Sequence, residues 1–276
     1  MSFHLSPSQT EKIKIIFKQA DALIISAGAG MGVDSGLPDF RGNQGMWQAY
    51  PELGKQRIDF TEIANPAAFK RHPRLAWGFY GHRLALYRQT NPHQGFQQLK
   101  RLAEILELPS FVFTSNVDGQ FQKAGFNPDQ IYECHGSIHH LQCLGACTQT
   151  IWSANELLPE INHQDCQWLG ELPQCPICKG LARPNILMFD DMSWISRRHT
   201  QQAKRLEAFL KNHQHPVVIE MGAGTAIPTV RYFSERFSPY LIRINLREYT
   251  LPIQGGIALA TTAEQGVRSI YQIFIE

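Results

Sequence analysis

Apolar positions along this chain follow two different periods. Ile13, Ile16, Phe17 and Ala20 recur at helical spacing, and Ser8 followed by Glu11 predicts a capping box in front of them. Residues 21–27, DALIISA, form a short apolar run that stops at Gly28, as a buried parallel strand ending in a glycine turn does. Further β-rich runs occur at Phe111–Phe113, Val217–Ile219 and Leu241–Ile244, each flanked by helix-like sequence. Strands alternating with helices predict an α/β fold, Rossmann-like, with a mainly parallel sheet.

Two intervals break that rhythm. Residues 45–95 read as helical, with segments at Pro66–Lys70 and Leu75–Tyr87, whereas 137–183 hold most of the cysteines and few long apolar runs. The expected organisation is a Rossmann-like domain in three parts, 1–44, 96–136 and 184–276, interrupted by a helical insertion at 45–95 and a small subdomain at 137–183. Polar motifs follow the strands: Gly28 onward, Thr114-Ser115-Asn116, Gly222 to Thr225, and Asn245. Open α/β sheets bind ligands outside the carboxyl ends of their strands, so these motifs are expected to share one cleft.

Composition narrows the possible partners. The 276 residues are 43% hydrophobic and 18% charged, with a net charge of +2, which suits a globular chain and gives no sign of nucleic-acid binding. Lys12, Lys14 and Lys18 interrupt the N-terminal apolar positions, and no apolar stretch reaches the ~18 residues of a membrane span. The expectation is an unexported, cytoplasmic protein with no nucleic-acid or membrane partner; its oligomeric state stays open. Among the six cysteines, Cys143-x3-Cys147 and Cys175-x2-Cys178 are separated by 27 residues, the pattern of a closed structural zinc site with four sulfur ligands. Cys134 and Cys166 are expected to be ordinary thiols.

Residues 28–42, GAGMGVDSGLPDFRG, combine a glycine turn able to receive a pyrophosphate with Pro38, Asp39, Phe40 and Arg41. Arg41 can pair with phosphate, and Phe40 can shield a reacting ring from water. Thr114-Ser115-Asn116-Val117-Asp118 and Cys134-His135-Gly136-Ser137 follow, and after them comes the cysteine pattern. Gly222-Ala223-Gly224-Thr225-Ala226 and Ile244-Asn245 lie toward the C-terminus. In this order the runs resemble the motifs of the sirtuins, the NAD-dependent protein deacylases, as a divergent, bacterial-type member.

That resemblance implies the rest of the reading. NAD would be contacted by Gly28, Ala29, Gly30, Asp39, Phe40, Arg41, Ser115, Asn116, Asp118, His135, Gly224, Thr225 and Asn245. His135 would be the general base, suited by an imidazole pKa near neutrality, and Asn116 would position the ribose. Asp118 would hold the nicotinamide. Cys143, Cys147, Cys175 and Cys178 would bind zinc. An acylated-lysine protein or peptide would add as a strand along Arg183–Phe189, with Asn185 and Phe189 as contacts. Tyr80 and Arg83, three apart on one helical face, match the Tyr-x-x-Arg pair of sirtuins that remove succinyl and malonyl groups. The implied products are nicotinamide and O-acyl-ADP-ribose.

The sequence departs from the family pattern at Ser115, where glutamine is usual, at Ala226, where serine is usual, and at Asp190-Asp191, where the family has Gly-Glu. Its first cysteine pair is one residue wider than the common spacing. These departures keep two alternatives open: a sirtuin-type mono-ADP-ribosyltransferase or NAD hydrolase, and a non-catalytic NAD or ADP-ribose sensor.

Overall fold

The computed structural model describes residues 3–38, 42–55, 57–251 and 255–275, with the backbone alone at 42–45. Helix α1 (Pro7–Gln19) leads into strand β1 (Ala22–Ala27). The capping box is formed by Ser6 and Gln9, two residues before the expected pair, because Pro7 occupies the first helical position, where its fixed φ and missing N–H cost nothing. Ile13, Ile16 and Phe17 are buried as the periodicity requires, and all six residues of β1 are buried.

Five helices follow: α2 (Gly42–Ala49), α3 (Pro51–Lys55), α4 (Phe60–Ile63), α5 (Pro66–Arg71) and the long α6 (Pro73–Gln89). Then come α7 (Gln94–Ile105), β2 (Ser110–Thr114), the single turn α8 (Gln120–Lys123) and β3 (Ile131–Glu133). The cysteine-rich segment carries β4 (Gly136–Cys143), β5 (Trp152–Ser153), β6 (Ile161–Asn162), β7 (Gln167–Trp168) and β8 (Ala182–Ile186). The chain closes with α9 (Arg197–Asn212), β9 (Pro216–Met221), α10 (Thr229–Glu235), β10 (Leu241–Ile244), β11 (Ile257–Leu259) and α11 (Ala263–Gln272).

The main sheet has six strands in the order β11-β10-β9-β1-β2-β3, and every pairing in it is parallel. From β1 the chain winds outward to β2 and β3 on one side, then returns to fill β9, β10 and β11 on the other. The direction therefore reverses beside β1, which places the topological switch point between the ends of β1 and β9. One sheet face packs on α1, α7 and α11 through Ile13, Leu23, Ile25, Leu99, Val267 and Ile270. The other packs on α9 and α10 through Phe111, Phe113, Leu206 and Phe233. Arg243 and Glu220, opposite each other on β10 and β9, form a fully buried ion pair at 2.5 Å; Glu235 also accepts from Arg243, at 2.7 Å.

The helical and cysteine-rich insertions share one core. Leu53, Phe69, Trp77, Phe79 and Tyr80 from the first pack with Ile138, Leu141, Ala154, Cys166 and Trp168 from the second. Polar contacts join the same surfaces: Trp77 Nε1 donates to the Ala182 carbonyl at 3.0 Å, and Arg88 donates to the carbonyls of Leu157 and Ala154 at 2.6 Å each. Strands β5, β4 and β8 make a small antiparallel sheet, and β8 runs to Ile186, past the expected boundary at 183. Among the described residues no helix is long and apolar enough to cross a membrane.

Candidate active site

The switch point is built by backbone meeting backbone. Gly28 N–H donates to the Met221 carbonyl at 2.9 Å, and Gly30 N–H donates to the Gly222 carbonyl at 3.0 Å, so the turn after β1 and the turn after β9 are locked together. Gly222 has φ +58, and a Cβ there would lie 2.4 Å from Gly30; no side chain fits between the two turns. Gly28, Ala29, Gly30, Gly224 and Thr225, expected at the pyrophosphate, all lie on the two turns of this backbone cradle. Asp39, Phe40 and Arg41 lie outside the described residues.

Polar side chains brace this cradle. Asn245, buried at the end of β10, donates to the Ala223 carbonyl at 2.9 Å, and its own Oδ1 accepts from the amides of Arg247 and Glu248 at 3.0 Å. Thr225 donates to Glu248 from both its amide and its hydroxyl. Arg231 on α10 donates to the carbonyls of Ala223, Glu248 and Thr250. Neither Glu248 nor Arg231 was singled out by motif order. Ala226 is exposed, so the hydroxyl that the family carries there is missing from the surface of the loop and not from its support.

The turn after β2 enters the same cleft. Asn116 Nδ2 donates to the Gly28 carbonyl at 3.0 Å, which fixes this side chain against the first glycine turn, and Ser115 N–H donates to Ala27. Asp118 is buried, and its Oδ1 accepts from Gln120 N–H at 2.9 Å. Burial pushes its carboxyl up to about 6, opposed by that hydrogen bond and by the Arg83 charge.

His135 sits between β3 and β4, facing α10, where Thr229 Oγ1 lies 3.4 Å from its Nε2. Burial, with His199 nearby, holds the imidazole below its ordinary pKa, so it is neutral and basic at pH 7. Gly136, with φ +83, must be glycine, because a Cβ there would lie 2.2 Å from the Asn185 carbonyl across the small sheet. The His135 carbonyl accepts from Leu187 N–H at 2.9 Å, tying the histidine to the segment after β8. Adjacent Cys134 is buried, and its thiol is pushed up to about 12 by desolvation, which makes it inert.

The segment after β8 shows what the unusual Asp190-Asp191 pair does. Asp191 forms a fully buried ion pair with Arg183 at 2.7 Å and accepts from the amides of Met188 and Ser193. Asp190 has φ +52, the left-handed conformation that the family's glycine adopts freely and aspartate tolerates. Phe189 donates its amide to the Ala64 carbonyl and packs its ring against Phe60. Asn185, expected at the substrate, turns its side chain inward and donates to Gln142 Oε1 at 2.8 Å and to the Ile195 carbonyl at 3.0 Å.

Tyr80 and Arg83 are both buried on α6 and touch, with the guanidinium carbon 5.8 Å from the Tyr80 ring centre. Arg83 also donates from Nε and Nη2 to the hydroxyl of Tyr87, at 3.0 and 2.7 Å. Its neighbours include Tyr50, whose hydroxyl bonds His82 Nδ1 at 2.7 Å. Tyr87 and Tyr50 carry no motif signal, and only the i, i+4 spacing of Arg83 and Tyr87 hints at the first.

Cys143, Cys147, Cys175 and Cys178 converge, with all four sulfurs within 4.8 Å of one another. The separations Cys143–Cys178 and Cys147–Cys175 are 3.6 and 3.7 Å. A zinc tetrahedron with bonds of about 2.3 Å has edges of about 3.8 Å, so the four thiols fit zinc. All six cysteines are free thiols.

A doubly wound parallel sheet with an interlocked glycine cradle at its switch point, a buried carboxylate and a neutral histidine beside it, defines a nucleotide-binding enzyme fold with a zinc-type accessory module. The model of the Sir2 family matches residues 28–213, and the chain belongs to that family. It is 28% identical over 265 residues to an NAD-dependent protein deacylase of Thermococcus sibiricus, covering 96% of this chain and 90% of that one. To the NAD-dependent protein deacylase of Pyrococcus furiosus it is 30% identical over 233 residues, covering 84% and 81%. Among solved structures, a Sir2 homolog–NAD complex superposes with a TM-score of 0.73 at 23% identity, covering 99% of this chain and 96% of the other. Sir2Tm bound to a propionylated peptide gives 0.67 at 18%, covering 96% and 98%.

Proposed function

We propose that this protein is an NAD-dependent protein-lysine deacylase that releases nicotinamide and O-acyl-ADP-ribose. The observation that carries the reading is the bond from Asn116 to the Gly28 carbonyl, which ties the turn after β2 to the turn after β1 in a Sir2-family chain. NAD, when bound, supplies an electrophilic ribose carbon with nicotinamide as its leaving group. The two glycine turns receive its phosphates, Asn116 orients the ribose from its anchor on Gly28, and the Asp118 carboxylate accepts from the nicotinamide amide. His135, neutral through burial, takes the proton from a ribose hydroxyl at a ring nitrogen, and Thr229 steadies the ring from α10. The acyl-lysine peptide adds beside the segment that follows β8, and acidic acyl chains are drawn to the buried Arg83 among its tyrosines. Free thiols and the cysteine site suit a reducing cytoplasm.

The test is incubation of the purified protein with NAD and a panel of acetyl-, succinyl- and malonyl-lysine peptides, with both products identified by mass. Deacylated peptide with O-acyl-ADP-ribose is expected. ADP-ribosylated protein, or free ADP-ribose with the peptides untouched, would replace deacylation by transfer to protein or to water.

A further inference from the structure

Beside the turn that carries Asp118 lies a half-open cavity of about 630 Å³. Helix α9 supplies Arg198, Gln201, Gln202 and Arg205 to its wall, positions i, i+3, i+4 and i+7 of one helical face. This stretch of the helix is entirely guanidinium and amide, with Gln202 buried and Gln201 exposed. Strand β4 supplies Ser137, His139 and His140 opposite. Asp129 is the lining carboxylate, and it sits at the exposed rim, tied to Arg205.

The charges on this wall are incompletely matched. Arg198 meets Glu133 through Nη2, while Arg198 Nη1, His140 Nδ1 and Glu133 Oε1 have no hydrogen-bond partner. The first turn of α9 opens with Arg197 and Arg198 and contains no acidic residue, so two guanidinium groups sit at the positive end of the helix dipole. A negative group in the cavity relieves both conditions. His139 links the cavity to the nucleotide cleft, because its Nε2 lies 2.9 Å from the Asp118 carbonyl.

We propose that this cavity is a second binding site, for a small molecule carrying an oxyanion, either phosphate or carboxylate, held by Arg198, Arg205, the α9 glutamines and the β4 imidazoles. Its volume suits a ligand of a few to about twenty heavy atoms, and its donor-rich wall selects acceptors. Aromatic rings are absent from the lining apart from the two imidazoles, so the recognition is of the anion and not of a nucleobase.

The experiment is calorimetric titration of the full chain, its nucleotide cleft filled with ADP-ribose, with inorganic phosphate and separately with malonate at constant ionic strength. At least one probe is expected to bind with Kd below about 1 mM. Gln201→Glu, at an exposed residue outside both ion pairs of the wall, should weaken that binding at least tenfold and leave the ligand-free melting temperature unchanged; Arg205→Gln should weaken it likewise, its loss of the bond to Asp129 being read separately in the ligand-free melting temperature. The stronger of the two probes assigns the site to phosphate or to carboxylate ligands. No binding of either probe at 10 mM would overturn the proposal. So would binding that both variants leave intact, which would mean an adventitious ion only.

Discussion

Replacing Asp118 by asparagine should stabilise the ligand-free protein at neutral pH while abolishing its turnover. The carboxyl is buried, and desolvation raises it from 3.8 to about 6. Each unit is worth about 1.4 kcal/mol, so holding the ionised form in the folded state costs on the order of 3 kcal/mol. The folded chain binds this proton more tightly than the unfolded chain does. Stability therefore falls as pH rises from about 4 to about 6 and levels off above that.

Asparagine has the same shape, keeps an Oδ1 to accept from Gln120, and carries no charge to desolvate. Asp118→Asn should raise the melting temperature at pH 8 by up to about 6–12 °C, at about 2–4 °C per kcal/mol, and the gap should close below pH 4. Differential scanning fluorimetry of both proteins across that range measures it. Because the Arg83 charge lowers this pKa, the gain should grow in an Arg83→Met background. An Asp118→Asn protein that melts at or below the parent at pH 8, or a gap indifferent to pH, would refute the reasoning. The logic is that of a functional group kept at the expense of stability.

Arg83→Met should reduce kcat/KM on succinyl-lysine about 10–100-fold, the worth of one or two charged hydrogen bonds, and change acetyl-lysine turnover far less; equal losses would make Arg83 structural. Thr229→Val should slow turnover and shift the pH-rate profile while Thr229→Ser preserves both, and a Val variant matching the parent would remove Thr229 from the positioning of His135. At Asp190, glycine should stabilise by about 1 kcal/mol and valine destabilise by about 1–2 kcal/mol, since the left-handed backbone is strained for branched residues; chemical denaturation reads both. Verified removal of zinc should lower both the melting temperature and the activity, and retention of either in full would contradict a structural metal.

Much of the cleft was legible because its demands fall on single residues. A turn packed so closely that a Cβ would lie 2.4 Å from another backbone must be glycine, and the strand before the first turn stops its apolar run abruptly, so Gly222 and Ala27-Gly28 announce themselves. The four cysteines do the same through spacing. What the pattern concealed has equally physical causes. Strands β3 and β11 are three residues long, too short for any period to show. Arg243 lies inside one β-rich run and Glu220 just past another, and only the sheet register shows that each is the other's partner. The side-chain bonds of Asn185 run inward to Gln142 and Ile195, which no local pattern reveals. The first capping box was misplaced by two residues because Ser-x-x-Gln and Ser-x-x-Glu overlap there, and only Pro7 breaks the tie.

The shared core of the two insertions couples the four-cysteine site to helix α6. Cys143 ends β4 and pairs in register with Ala182, the first residue of β8. The carbonyl of Ala182 accepts from Trp77, which lies on α6 between the packed rings of Phe69 and Trp168. Arg83 follows Trp77 by six residues on that helix, and Arg74, just ahead, donates to the carbonyls of Trp168 and Gly170 in the β7 segment. If the four thiolates lose their ion, Cys143 and Cys178 no longer hold the ends of β4 and of the segment before β8 together, and Ala182 loses its register. α6 then loses the surface that sets its position, and with it the aim of Tyr80 and Arg83. Loss of a metal at this closed site is therefore expected to reach α6 by rigidity alone, through packed side chains and three backbone carbonyls.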